Sequence, residues 1–207
     1  MITAQFLAIW FAWALAGGSP GPATMGIAGT AMSEGRKSAV AFAFGILAGS
    51  ATMGIAAALG LSAVMLTNAW VFEVIRYAGA LYLGWLALKA LRRATSRGAA
   101  QMGTPFTGTA KALFFKGLAI HLTNPKAILG WGSIYAIVAP SDATPATLFG
   151  YFGLLYAASV VVFLGYAVLF STERTVRAYA RARRWFDLAF AGFFGFASVK
   201  ILTARLQ

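Results

Sequence analysis

Apolar residues run in six long stretches, at about 4–30, 39–66, 70–91, 112–139, 146–170 and 185–204. Each reaches or exceeds the roughly 20 residues that a helix needs to cross about 30 Å of hydrocarbon. The pattern predicts an all-α polytopic membrane protein with six transmembrane helices. The first and fourth stretches are longer than a crossing requires. Each is cut near its middle by a proline-centred motif, Ser19-Pro20-Gly21-Pro22 in the first and Asn124-Pro125-Lys126 in the fourth. The motifs lie about half the chain apart, so one falls at a corresponding place in each half. Lipid offers no water to freed backbone groups, so such a break is tolerated only within protein or beside a polar cavity. Two interrupted spans in matching halves are the sequence pointer to a transporter's binding site.

Three spans per half is an odd number, which predicts that the halves insert in opposite directions as two inverted three-helix repeats. Traces of repetition agree with this. Phe72-Glu73 opens the third span as Phe186-Asp187 opens the sixth, and Ala78-Gly79 and Ala191-Gly192 follow at nearly equal distances. The expected organisation is one transmembrane domain over 1–207, with repeat one at about 1–91, a polar cytoplasmic linker at about 92–111 and repeat two at about 112–207. Gly45 and Gly49 form a G-x-x-x-G pair on a face that also carries Ala41, Ala48, Ala51 and Ala56. Small residues at this spacing let helix backbones approach closely in lipid, so the face is read as packing.

Composition supports a membrane protein, with 60% apolar and 11% charged residues against about a quarter charged in soluble domains. The net charge of +12 does not mark a nucleic-acid or anionic-lipid partner, because the basic residues lie in short connections between apolar runs. Arg36 and Lys37 follow span one. Lys89, Arg92, Arg93, Arg97 and Lys111 flank the connection between spans three and four, and Arg174, Arg177, Arg181, Arg183 and Arg184 fill that between spans five and six. Arg76, Lys200 and Arg205 are the few on the other side. The positive-inside rule then makes the basic loops cytoplasmic and puts both termini outside. Phe6 to Ala16 resembles a signal-peptide core, but no basic region precedes it, so it is read as a retained first span. The chain has no cysteine, one histidine and five acidic residues. That excludes disulfides and thiolate chemistry and leaves too few ligands for a metal cluster. No nucleophile–base pair is in view, so no enzyme activity and no cofactor are expected.

The chemistry concentrates at the two breaks. Asn124 is a good N-cap and Pro125 a favoured first helical residue, and Ser19 before Pro20 shows the same grammar. Each motif therefore both ends one half-helix and starts another, leaving carbonyls near Gly18 and His121 without their usual donors. A helix start carries free N–H groups and about half a positive charge. Lys126 adds a full charge with no acid near the centre of any span to balance it. This suits a substrate carboxylate, and the freed carbonyls suit an ammonium. His121, one turn before Asn124, is a candidate proton relay because its ordinary pKa lies close to neutrality. Glu73 and Arg76 are read as an interfacial pair, and Trp70, Tyr179 and Trp185 as interface anchors.

Pro20-Gly21-Pro22, Glu34-Gly35-Arg36-Lys37 and Phe44-Gly45-Ile46-Leu47-Ala48-Gly49 resemble the first signature block of the lysine exporter and threonine/homoserine efflux family (LysE/RhtB type). Gly79-Ala80-Leu81-Tyr82-Leu83-Gly84 resembles its third-span signature, and Asn124-Pro125-Lys126-Ala127 its fourth-span signature. The likeness keeps motif order and spacing from about residue 5 to 204. It implies an exporter of amino acids or close derivatives in the bacterial inner membrane, driven by the proton gradient and compatible with a homodimer. Pro20, Gly21, Pro22, Asn124, Pro125 and Lys126 are the positions that carry over. Ser19 and Pro22-Ala23-Thr24 depart mildly, with small residues where the family often has Asp or Asn.

The expected function is therefore proton-coupled efflux of a small zwitterionic solute. Its substrate site comprises Ser19, Pro20, Gly21, Pro22, Asn124, Pro125 and Lys126, with His121 as the relay and no metal. The expected partners are the amino-acid-like substrate, protons and the lipid bilayer. A metal-ion exporter of related fold and a non-transporting membrane subunit are the alternatives, and the side chain of the substrate is left open.

Overall fold

A computed structural model describes residues 4–65, 69–96, 105–138 and 143–203, and among them it contains seven α-helices and no strand. They are α1 (Ala4–Gly18), α2 (Pro22–Met65), α3 (Ala69–Thr95), α4 (Ala110–Leu122), α5 (Pro125–Val138), α6 (Pro145–Leu169) and α7 (Glu173–Thr203). Three of them, α2 over Pro22–Gly60, α6 and α7, are long and apolar enough to cross a membrane. The helical class read from the sequence is thus present.

Both proline motifs break their helices where expected, between α1 and α2 and between α4 and α5. The loop expected near 30–39 is absent. Helix α2 continues through that stretch and departs from helical geometry at Gly35, whose φ of 81° and ψ of 177° redirect the chain in one residue. A left-handed φ is accessible to glycine at no steric cost, so Glu34-Gly35-Arg36-Lys37 is a one-residue corner. The linker is also shorter than expected at its described ends, since α3 extends to Thr95 and α4 starts at Ala110 behind an N-cap from Thr109. Within the linker, Phe106 stacks on Phe42 with ring centroids 5.0 Å apart, and its N–H bonds the Thr30 hydroxyl.

The arginine-rich stretch before residue 185 is not a loop. It forms the first three turns of α7, held down because Val176 and Tyr179 pack on the core and the Tyr179 ring meets Phe170 at 5.3 Å. Tyr179 is accordingly a packing residue, not the interface anchor its composition suggested, whereas Trp185 is 73% exposed. The side chains of Trp70, Glu73 and Arg76 lie outside the described residues.

The buried residues fall into three groups. One joins α2, α4 and α6 around Ile27, Phe42, Leu113 and Phe163. A second joins α2, α5 and α6 around Trp131, Tyr135 and Leu155, and a third joins α3 and α7 around Phe190 and Phe194. The glycine pair of α2 packs as expected, and α4 supplies the opposing glycine. A methyl on Gly45 would collide with the Phe114 carbonyl, and one on Gly117 with the Phe42 carbonyl. At Gly49 it would lie 2.8 Å from His121 Cβ. Helix α3 repeats the device against α5, where Gly79 lies under Ser133, and Ser198 of α7 donates to the Ala80 carbonyl at 2.7 Å.

The α3–α7 seam also holds a charge that the sequence placed at a span end. Asp187 is 1% exposed and accepts from Arg93 Nε at 2.9 Å, with Arg183 Nε 3.5 Å from its other oxygen. A carboxylate so buried requires these partners, because an unpaired buried charge is strongly destabilising.

Overpacking a close crossing costs about 1–3 kcal/mol. Gly117→Ala should therefore lower the heat-denaturation midpoint of the detergent-purified protein, whereas Gly192→Ala, which faces open space, should not. Equal midpoints for the two variants would contradict this account of the α2–α4 contact.

Candidate functional site

The first break is finished by groups from three helices. At the end of α1, Ser19 N–H donates to the Leu15 carbonyl at 3.0 Å and the Ser19 hydroxyl to the Ala16 carbonyl at 2.9 Å. Ser19 therefore closes α1 and does not cap α2, as its place before Pro20 had suggested. The reason is the second proline. With Pro22 as the first residue of α2, the cap position falls on Gly21, whose N–H donates to Thr24 Oγ1 at 3.1 Å. A third-residue side chain reaching back to the cap N–H is one half of a capping box. Thr24 was not singled out from the sequence, although its spacing from Gly21 carried that signal.

The second break follows the expected grammar. Asn124 Oδ1 accepts from Lys126 N–H at 3.0 Å, and the Asn124 carbonyl accepts from Ala127 and Ile128. Pro125 is the first residue of α5. The His121 carbonyl, deprived of its donor by Pro125, is taken by Asn124 N–H at 3.1 Å.

The two breaks touch. Lys126 Nζ donates to the Ser19 carbonyl at 2.8 Å, its stem passing over Gly21, where a Cβ would lie 3.6 Å from Nζ. The adjoining Gly18 carbonyl accepts from the Tyr166 hydroxyl of α6 at 2.6 Å. So the carbonyls freed at the first break do receive an ammonium, but it is the protein's own, and the Gly18 carbonyl is held by a phenol. Nothing in the sequence linked Tyr166 to Gly18, 148 positions away.

A cavity of about 70 Å³ opens beside this junction. Gly21, Asn124, Lys126 and His121 line it, whereas Ser19, Pro20, Pro22 and Pro125 shape the backbone without facing it. Trp13 of α1 and Trp131 of α5 meet across it with ring centroids 4.6 Å apart. Three of its hydroxyls are already engaged. Ser159 accepts from Trp13 Nε1 at 2.9 Å, Ser50 from Trp131 Nε1 at 3.3 Å, and Thr24 serves the Gly21 cap. His121 differs from all of these. It is 4% exposed, its ring stands edge-on to Phe163, and neither ring nitrogen has a hydrogen-bond partner. A buried polar group left unpaired calls for an explanation, because buried polar atoms are generally bonded. No Asp or Glu lines the cavity among the described residues. It therefore presents one ammonium, one unpaired imidazole and otherwise mainly aromatic and small walls, with the Ser19 carbonyl behind the ammonium. Such a set can bind a small molecule with a carboxylate and an amine.

The family model for the LysE type translocator matches residues 16–205. The chain is 34% identical over 176 residues to the threonine efflux proteins of Salmonella typhi and Escherichia coli (strain K12), covering 84% of this chain and 85% of each relative. It is 31% identical over 166 residues to the leucine efflux protein of Klebsiella pneumoniae, covering 80% of this chain and 77% of that one. No solved structure matches it significantly. The matched region takes in both proline breaks, the cavity between them and every helix from the end of α1 onward, and this membrane protein belongs to the LysE type translocator family.

Proposed function

We infer that this protein is a secondary exporter of amino acids with uncharged side chains, coupled to protons, with its substrate site at the junction of the two breaks. The observation that carries this reading is the Lys126 ammonium resting on the Ser19 carbonyl in a cavity with no acidic side chain among the described residues. A zwitterion exchanges for that contact on both sides at once. Its carboxylate takes Lys126, a charge-assisted bond stronger than the one to a neutral carbonyl, and its ammonium takes the Ser19 carbonyl. A cationic side chain would find no counter-charge in the cavity. The relatives named for threonine and leucine efflux support a neutral substrate.

Six spans in two inverted repeats account for the packing. Span one is α1 with the start of α2, span two the rest of α2, span three α3, span four α4 with α5, span five α6 and span six α7. Exchanging the halves turns the α2–α4 contact into α6–α1 and returns α3–α7 and α2–α6 to themselves, and all of these contacts are present. Helices α4 and α5, with 13 and 14 residues, are about 20 Å long each at the usual rise. The break between them then lies near the middle of the bilayer. The basic loops face the cytoplasm and both termini the outside of the inner membrane.

His121 is the proton group of this scheme. Histidine is the side chain whose ordinary pKa lies closest to neutrality, and His121 lines the cavity with neither ring nitrogen hydrogen-bonded. A proton taken up from an acidic exterior and released inside would return the empty carrier.

Counterflow in proteoliposomes across a panel of amino acids tests the function, and no flux for any of them under an inward proton gradient would end it. Lys126→Ala should reduce counterflow at least about tenfold while the protein still inserts, and unchanged flux would remove the site assignment. His121→Gln should change the dependence of export on external pH, whereas an unaltered profile would make His121 a packing residue. Tyr166→Phe leaves the Gly18 carbonyl unpaired and should lower stability by about 1 kcal/mol, read as an earlier heat-denaturation midpoint.

A further inference from the structure

The beginning of α7 carries a one-sided arginine stripe that neither packing nor the proposed transport site uses. Arg174, Arg177, Arg181 and Arg184 recur at spacings of three and four, which puts them on one face of a helix, and all four are exposed. Arg183, the remaining arginine of this stretch, points the other way, toward buried Asp187, which Arg93 also holds. Val176 and Tyr179 fasten the same inner side to the core. The stripe is therefore presented by a helix fastened to the core, and Glu173 pairs with Arg177 at 2.9 Å near its start.

Orientation alone does not require this arrangement. The positive-inside rule counts basic residues in a loop and is indifferent to the face they occupy. The stripe ends at Trp185, which is 73% exposed, and the same helix then continues through apolar residues to Thr203. An exposed tryptophan at the end of an apolar span marks the level of the headgroups. The four guanidiniums stand directly above that level, where the groups available to them are lipid phosphates. A guanidinium binds phosphate through two parallel N–H donors, which an ammonium does not match.

Because these arginines form a helix face and not the short connection expected from the sequence, we propose that, against that expectation, the Arg174–Arg177–Arg181–Arg184 face binds the headgroups of anionic phospholipids in the cytoplasmic leaflet. A clustered basic face beside a membrane span favours anionic over zwitterionic lipid, and salt screens the preference. This site is independent of the substrate cavity and holds whether or not the protein exports amino acids.

The test is native mass spectrometry of the full-length protein in detergent, titrated with phosphatidylglycerol or phosphatidylcholine. Wild type should retain phosphatidylglycerol about tenfold better, with the preference shrinking as salt rises. The R174Q/R177Q/R181Q/R184Q variant should lose that preference while keeping its helical circular dichroism. Among charge-matched pairs, R174Q/R181Q should lose far more than K37Q/K111Q. Inorganic phosphate at millimolar concentration should not displace the lipid, because the site is built for headgroups held at a surface. Equal retention of the two lipids by wild type, equal losses in the two pairs, or displacement by phosphate would each overturn the proposal. If the fourfold variant does not fold, the lipid preference of wild type and the paired variants decide.

Discussion

The rest of this structure depends on one requirement, that backbone carbonyls exposed by breaking a helix in an apolar environment must find donors. Each such group left unpaired costs several kcal/mol where no water is available. The two breaks meet the requirement partly from outside themselves. Ser19 is served by Lys126 of α5 and by the Thr24 hydroxyl, and Gly18 by Tyr166 of α6, while the His121 carbonyl is served locally by Asn124. Because the donor for the first break stands on the helix that starts at the second, the two breaks are a single structural unit. Moving α5 away from α1 takes the ammonium from the Ser19 carbonyl and leaves it the Thr24 hydroxyl at 3.2 Å.

The glycine crossing makes this unit possible. Gly45, Gly49 and Gly117 bring the backbones of α2 and α4 together at a distance that any side chain would prevent. That contact fixes the end of α4, and with it His121 and Asn124, against the side of α2 that leads back to Thr24 and Gly21. The cavity lies where this crossing leaves space and the tryptophans of α1 and α5 close over it. Packing in lipid gains little from burying apolar surface. A backbone-to-backbone approach through glycine is therefore a direct way to hold such a junction in place.

Features that depend on local chemistry could be read from the chain. The Asn124-Pro125 cap, the two breaks, the glycine face and the helical class each follow from residues within a turn or two of one another. Ser19 was misassigned although its neighbours were in view, because Ser-Pro and Gly-Pro both make sensible helix starts and the second proline displaced the cap by two residues. The early start of α7 was hidden for a different reason. Its arginines suggested a loop by composition, while their three-and-four spacing, equally visible, already described a helical face. Tyr166 and the burial of Asp187 had no local signal at all. Each depends on how one helix is rotated about its own axis relative to another, and neither hydropathy nor spacing reports that rotation.

The contrast between the two partly buried cations, Arg93 and Lys126, bears on what the cavity is for. Arg93 sits against Asp187, a full ion pair at 2.9 Å, in the seam between α3 and α7. Lys126 sits against a neutral carbonyl at a nearly equal distance. An ion facing a dipole is held less strongly than one facing an opposite charge in the same low-dielectric surroundings. The fold thus places its buried acid where helices must stay together and leaves Lys126 with a partner that a carboxylate can replace. A second acid at the breaks would have satisfied Lys126 permanently and removed any demand for an anion from outside. The weaker contact joins the two breaks, and on the function proposed above it is the one that yields to a ligand offering a carboxylate and an amine together.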